Sequence, residues 1–376
     1  MSVSSITLLI YMASDNNLCK ASLKNLESIR EASKNSSINI IVQLDCQPYP
    51  NVLEGFRYHF KNGEERLIKK LGEVNSGDPS ILKSFIDEVS SEFPSEKLML
   101  IISSHGTGVD DRNFYNPLRE EIKRKKFFEE RIEQKNIGIA FDDDSGDFID
   151  NVELKEALSS PRKIDVLGFD ACLMAMFEVA YQLRNEASVI VASQYLEPET
   201  GWAYSKIVNN LEDKDSNKEI GSKIVEYYAD SYEGTPNFVT QSAYDMSMIK
   251  KVASSINDFA DFLQKNTTRV LLKEILLETE TFSRDDYIDL IDFVKKTDEK
   301  VVINELSILS KRLLAYLDLL VIANQTIGKN MENVYGVSIY FPHKRLPMEE
   351  TFDGYEVLDF SKDYPAWINL IRWFYS

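Results

Sequence analysis

Strand-like runs, several of them apolar at nearly every position, fall at 5–12, 38–45, 97–104, 137–141, 163–170, 187–193 and 238–245. Runs of that kind mark strands buried on both faces, the situation of parallel sheets covered by helices. Between them lie segments with helical periodicity, for example 18–32 and 79–93. Asp78 stands where it can cap the second of these, and Pro79 fits its first position. Asp150, with Glu153 three residues on, predicts a capping box that opens a helix over 152–158. The alternation predicts an α/β fold with helices covering a mostly parallel central sheet.

From 247 to 325 the pattern turns almost wholly helical, with apolar residues spaced by three and four and neither glycine nor proline. Long uninterrupted helices are expected there. A core over 1–246 and a C-terminal helical region over 247–376 follow, the latter returning a last strand at 335–342 to the core. The polar, highly charged stretch 107–136 is too long for a plain connection and points to a functional loop.

The net charge of −18 removes the basic patches that nucleic acid or an anionic membrane surface requires. No apolar run approaches the ~20 residues that cross a bilayer. The first residues lack a basic leader and read as a strand, so the chain is expected in the cytoplasm, or outside it if a leader has been removed. Three cysteines cannot form a disulfide framework and leave at least one thiol free. That suits a reducing compartment or a catalytic cysteine. The sequence specifies no oligomeric state.

Two strand runs end on reactive side chains. The run 97–104 stops at His105-Gly106, and the run 163–170 stops at Asp170-Ala171-Cys172. Open α/β sheets place their chemistry at such carboxyl ends. Neighbouring strands lie ~4.8 Å apart, so the two side chains can meet, with His105 serving as base and then as acid. A helix is expected to start on Cys172, and its first turn favours the thiolate. Gly106 admits the substrate backbone, and N–H groups near Gly106 and Cys172 can hold an oxyanion. Against this stand a buried structural cysteine and a structural histidine. Cys19, Cys46, His59 and His343 have no such neighbours and read as structural.

Five blocks of the chain, in order, resemble the clostripain family of cysteine peptidases: Leu8-Leu9-Ile10-Tyr11-Met12-Ala13-Ser14-Asp15-Asn16-Asn17-Leu18, Gly77-Asp78-Pro79, Ser104-His105-Gly106-Thr107-Gly108, Phe169-Asp170-Ala171-Cys172-Leu173-Met174 and Gly336-Val337-Ser338-Ile339-Tyr340-Phe341-Pro342. The resemblance implies a caspase-like α/β/α sandwich and a Cys–His dyad of Cys172 and His105. It implies cleavage of proteins or peptides after arginine or lysine, with Asp170 among the pocket acids and Glu199 and Thr200 at the remaining pocket positions. Glu197 and Glu199 are acids that could serve there. A helix cap is the alternative role for Asp170. Zymogen processing after the dyad histidine is also implied, and Arg119, Lys123, Arg124, Lys125 and Lys126 offer sites, unless that tract is a solvated helix. Calcium dependence among relatives directs attention to Asp142-Asp143-Asp144-Ser145-Gly146-Asp147, although its order departs from an EF-hand and a tight turn fits as well. No transition-metal or nucleotide motif is present, so no cofactor is expected. The rival function is a catalytically silent caspase-like peptide-binding or scaffold protein.

Overall fold

A computed structural model describes residues 4–49, 52–109, 138–282, 284–329, 331–343 and 349–376. The tract from Arg119 to Lys126 lies outside these residues. In the first half run β1 (Ser4–Ala13), α1 (Cys19–Ser33), β2 (Asn39–Tyr49), β3 (Val52–Lys61), β4 (Glu64–Gly72), α2 (Pro79–Glu92) and β5 (Ser95–Ser103). There follow β6 (Gly138–Asp142), β7 (Asp147–Asp150), α3 (Asn151–Leu158), β8 (Ile164–Asp170), α4 (Phe177–Gln182) and β9 (Ala187–Ala192). Then come α5 (Tyr204–Asn210), α6 (Asn217–Tyr232), β10 (Val239–Asp245), α7 (Ile249–Asn266), α8 (Arg269–Glu278), β11 (Thr281–Phe282) and β12 (Arg284–Asp289). The last elements are α9 (Leu290–Lys300), α10 (Asn304–Leu320), β13 (Val321–Ile327), β14 (Ser338–Tyr340), α11 (Glu349–Glu356), α12 (Asp359–Asp363) and α13 (Ala366–Tyr375).

The central sheet has the order β13-β10-β9-β8-β5-β1-β2-β3-β4. Strands β2, β1, β5, β8 and β9 are parallel, and antiparallel strands extend the sheet at both sides. Side chains alternate between faces along a strand. Leu8 and Ile10 therefore pack on one layer with Leu26, Ile29, Tyr204, Ile207, Ile220 and Ile224. Leu9 and Tyr11 face the other layer with Phe85, Leu154, Phe177 and Phe259. These strand residues are essentially inaccessible to water. At ~1.5–3 kcal/mol for each large apolar side chain buried, the two faces form the molecule's main core. The result is the α/β/α sandwich with a mostly parallel sheet and a helix-rich C-terminal region.

Local signals hold where side chains satisfy backbone groups. Asp78 accepts from Ser80 N at 2.8 Å, with Pro79 opening α2. Asp150 and Glu153 form both arms of the capping box of α3. Several elements depart from the sequence pattern. Where the sequence pattern has a strand at 137–141, β6 pairs with β7 in a separate two-stranded sheet. The stretch 247–325 is interrupted by β11 and β12 and closes on β13, which joins the edge of the central sheet. The last strand, β14, pairs with β12 in a small three-stranded sheet rather than with the central one. Cys19 and Cys46 form a disulfide that ties the first residue of α1 to β2, with Cα atoms 5.2 Å apart. Cys172 is the free cysteine. No helix among the described residues is long and apolar enough to cross a membrane.

Candidate active site

Strand register brings the reactive residues together. Met12 lies opposite Ser103 across the β1–β5 pair, and Ser103 lies opposite Asp170 across the β5–β8 pair. The loops leaving β1, β5 and β8 therefore emerge side by side and carry Asn17, His105 and Cys172. The loop leaving β9 adds Glu197. All but Asn17 line one cavity of about 190 Å³, together with Leu18, Asp170 and Glu199.

His105 follows directly on a strand end fixed by the bond from Ser104 N to the Asp170 carbonyl at 3.2 Å. Its Nε2 lies 2.7 Å from Asn17 Oδ1. An amide oxygen only accepts, so Nε2 carries the proton and Nδ1 is the basic nitrogen. Asn17 keeps this orientation because its Nδ2 is directed to Glu199 Oε1 at 3.5 Å. Burial pushes the imidazole down to about 4. Gly106 must be glycine, because a Cβ there would stand 2.6 Å from the Cys172 carbonyl oxygen. The histidine loop thus rests against the backbone of the cysteine loop.

Cys172 does not open a helix, contrary to the pattern of its flanking sequence. Helix α4 starts at Phe177, and residues between it and β8 are held by tertiary bonds. Leu173 N donates to the Tyr195 carbonyl at 3.1 Å and Ala175 N to the Ser193 carbonyl at 2.9 Å. Leu173 takes a left-handed φ of 63°. Helix-dipole activation of the thiol is therefore absent. Instead Glu197 N donates to Cys172 Sγ at 3.2 Å. Burial pushes the thiol up to about 11 despite that bond, with the Asp170 charge adding to the rise. At neutral pH thiol and imidazole are both uncharged.

Below them sits an acidic pocket. Asp170 is 5% exposed and accepts from the Tyr204 hydroxyl at 2.7 Å and from Ser103 Oγ at 3.1 Å. The carboxyl of Glu197 lines the same cavity, and each acid perturbs the other. Burial raises both acids, Glu197 strongly, with the Asp170 charge as its next cause. No donor among the described residues reaches the buried Glu197 Oε2. Gly201 closes the pocket wall at φ 64°, where a Cβ would meet the Asp170 carboxylate at 2.7 Å. Asp170 does not cap a helix, since none begins there.

The other sequence candidates lie apart. Glu199 is exposed at the cavity rim. Thr200 is also exposed and turns away, bonding the Tyr232 hydroxyl at 2.8 Å. Two residues gain weight from the structure. Asn17 belongs to a polar loop at a strand end, a signal legible once β1 and β5 are known to be neighbours. Glu197, which the sequence offered with Glu199 as an acid that could serve in the pocket, lines the cavity with Asp170, whereas Glu199 and Thr200 are exposed.

The C-terminal region supports both loops. The Tyr287 hydroxyl donates to the Thr107 carbonyl at 2.6 Å, behind His105. Gln194, in the loop of Glu197, donates to Asp289 and Ser338 and accepts from Gly336 N. Replacing Asn17 with alanine removes its hydrogen bond to His105 Nε2. The expected result is a fall in kcat of about tenfold or more with KM nearly unchanged, as for lost positioning of a general base. Steady-state kinetics on peptide substrates checks it, and an unaltered kcat would remove Asn17 from the site.

A buried thiol and an imidazole line one cavity at the carboxyl edge of the parallel strands in an α/β/α sandwich, a type of site that cysteine peptidases use. The model of the clostripain family matches residues 10–373. The chain belongs to the clostripain family. It is 27% identical over 304 residues to clostripain of Hathewaya histolytica, an alignment covering 68% of this chain and 56% of that protein. The chain thus spans little more than half the length of that curated relative. Solved structures share the fold. An inactive zymogen C11 protease from Parabacteroides distasonis has a TM-score of 0.71 at 22% identity, covering 97% of this chain and 99% of its own. A secreted C11 cysteine protease from Bacteroides thetaiotaomicron, in complex with an irreversible peptide inhibitor, has a TM-score of 0.71 at 19% identity, covering 95% and 98%.

Proposed function

We propose that this chain is an endopeptidase that cleaves proteins or peptides after arginine or lysine, using Cys172 as nucleophile and His105 as general base. The observation that carries the reading is the single cavity joining Cys172 and His105 to the paired carboxyls of Asp170 and Glu197. A cationic side chain entering the pocket forms charge-assisted bonds with these carboxyls that a neutral side chain does not. His105 Nδ1 takes the thiol proton as Sγ attacks the scissile carbonyl. Backbone N–H groups near Gly106 and Cys172 hold the oxyanion. The C–N bond then breaks, the departing amine takes the proton from His105, and water hydrolyses the thioester by the reverse proton route. None of these steps draws on a cofactor.

The Cys19–Cys46 bridge favours an oxidising compartment over the cytoplasm. The Bacteroides thetaiotaomicron neighbour is described as secreted, which points the same way. Self-processing within Arg119–Lys126 remains part of the proposal, because a clostripain-type specificity would recognise that basic tract.

Fluorogenic peptides ending in Arg, Lys, Asp or Ala test the specificity. Hydrolysis after Arg or Lys, with Asp and Ala ignored, is expected. Cleavage after Asp, or none of any peptide by a thiol-dependent route, would overturn it in favour of a different pocket or a silent peptide-binding protein. Intact mass after incubation tests processing separately: an unbroken chain that hydrolyses peptides removes that part.

A further inference from the structure

The block 336–342 contributes no residue to the cavity, yet it grips the loop that does. Gly336 N donates to Gln194 Oε1 at 2.7 Å. Gln194 Nε2 donates to Asp289 Oδ2 and to Ser338 Oγ, each at 3.1 Å. A backbone N–H only donates, so the amide has one orientation: its oxygen faces Gly336 and its nitrogen faces the two other oxygens. Asp289 is itself held, with Oδ2 accepting from Tyr335 N at 2.8 Å and Oδ1 from Asp292 N at 2.9 Å. Gln194, Asp289 and Ser338 are all buried. A buried polar network whose members are paired rigidifies what it joins, and each lost partner is costly.

The same segment holds the cysteine loop. Ser338 N donates to the Ala175 carbonyl at 2.9 Å, and the Tyr244 hydroxyl lies against the carbonyls of both Ala175 and Gly336. On the other side, Gln194 N and Tyr195 N share Thr240 Oγ1 at 3.0 and 3.1 Å. Glu197 follows three residues after Gln194. Its N–H meets Cys172 Sγ, and its side chain lines the cavity with Asp170. Between the two, Tyr195 is half-buried and Leu196 is exposed. Gln194 is therefore the last fully buried side chain before the loop enters the pocket.

We propose that Gln194 is a positioning residue for substrate selection. Gripped by Gly336, Ser338 and Asp289, it sets where the loop places Glu197, and through it the C-terminal region tunes the preference for a basic side chain. This inference rests on the reading of the acidic pocket given above. It differs from a plain packing role, in which loss of Gln194 would lower the amount of active protein and leave selectivity alone.

Fluorogenic peptides ending in lysine or in norleucine, which has the stem without the ammonium, test it. The ratio of their kcat/KM values does not depend on how much of a sample is active. Gln194→Met, shown folded by circular dichroism, should lower that ratio about tenfold, with KM for the lysine peptide raised more than kcat falls. Ser338→Ala removes one bond of the clamp and should shift the ratio in the same direction by less; it decides the matter if Gln194→Met does not fold. Leu263→Ala opens a cavity in α7, away from the clamp, and should lower the melting temperature with the ratio kept. Hydrogen exchange followed by mass spectrometry reads the loop without reference to activity. Amides of 195–201 should exchange faster in the Gln194 and Ser338 variants and not in Leu263→Ala. An unchanged ratio in the folded clamp variants, or an equal fall in Leu263→Ala, overturns the proposal. A wild type indifferent between lysine and norleucine would instead overturn the pocket reading, and exchange alone then decides the clamp: unaltered exchange over 195–201 removes it.

Discussion

Cys172→Ala is expected to lower kcat/KM for peptides ending in Arg or Lys by at least about 10³-fold, while the fold survives. The side chain is small and 8% exposed, and alanine fills most of its volume. What is lost is the only free thiol among the described residues, and with it the proposed acyl-enzyme route. Because both members of the proposed dyad rest uncharged, His105→Ala should approach the same loss, since no preformed thiolate is left to attack unaided. The double variant should then be scarcely worse than either single one, as for groups that act as a unit. Kinetics on the three variants decide this. Additive losses would mean that sulfur and imidazole work independently.

Asp170→Asn carries the second large effect. The amide keeps the shape of the side chain between Tyr204 and Ser103 but removes the charge that faces a guanidinium or ammonium. Breaking a buried charge pair costs about 2–5 kcal/mol, so kcat/KM for Arg and Lys peptides should fall by about 10²-fold or more. A substrate with a neutral isostere of arginine should lose far less. The pH profile supplies an independent sign. Burial holds the protons of Asp170 and Glu197 to higher pH than ordinary carboxyls, and a neutral pocket does not attract a cation. Activity toward basic substrates should therefore rise with pH beyond the usual carboxylate range and be lost as pH falls through it. In Asp170→Asn the remaining acid is relieved of a neighbouring charge, and its limb should move to lower pH. A limb that stays in place would assign the titration to another group.

Much of the frame was legible because it rests on local rules. Buried parallel strands announce themselves as apolar runs, and the bounds of β1, β5 and β8 fall within a residue or two of the pattern. The caps of α2 and α3 need only residues near in sequence. Elements governed by distant contacts were hidden. Strand β4 is mostly exposed and carries Glu64, Glu65, Arg66, Lys69 and Lys70, a charged edge with no apolar signature. Strand β12 is likewise hidden by Arg284, Asp285 and Asp286 inside a helical context. The segment after Cys172 has helix-forming residues, yet Tyr195 and Ser193 claim its N–H groups and delay the helix to Phe177. Such tertiary bonds override local propensity.

The same division holds within the site. His105 and Cys172 stand at strand ends and could be read from their flanks. Asn17 meets His105 across 88 residues, and Glu197 meets Cys172 across 25. Neither pairing leaves a trace in local sequence. Cys19 and Cys46 also meet only through the adjacency of α1 and β2, so an odd cysteine count said nothing of their bridge.

The central claim is that one sulfur, beside one imidazole and above one acidic pocket, performs the reaction. Mass spectrometry of the chain treated with a peptidyl chloromethyl ketone ending in lysine tests it most directly. The account predicts one adduct per molecule, mapped to Cys172, and none with the matching reagent ending in aspartate. An adduct on any other residue, or equal reaction with the aspartate reagent, would contradict it.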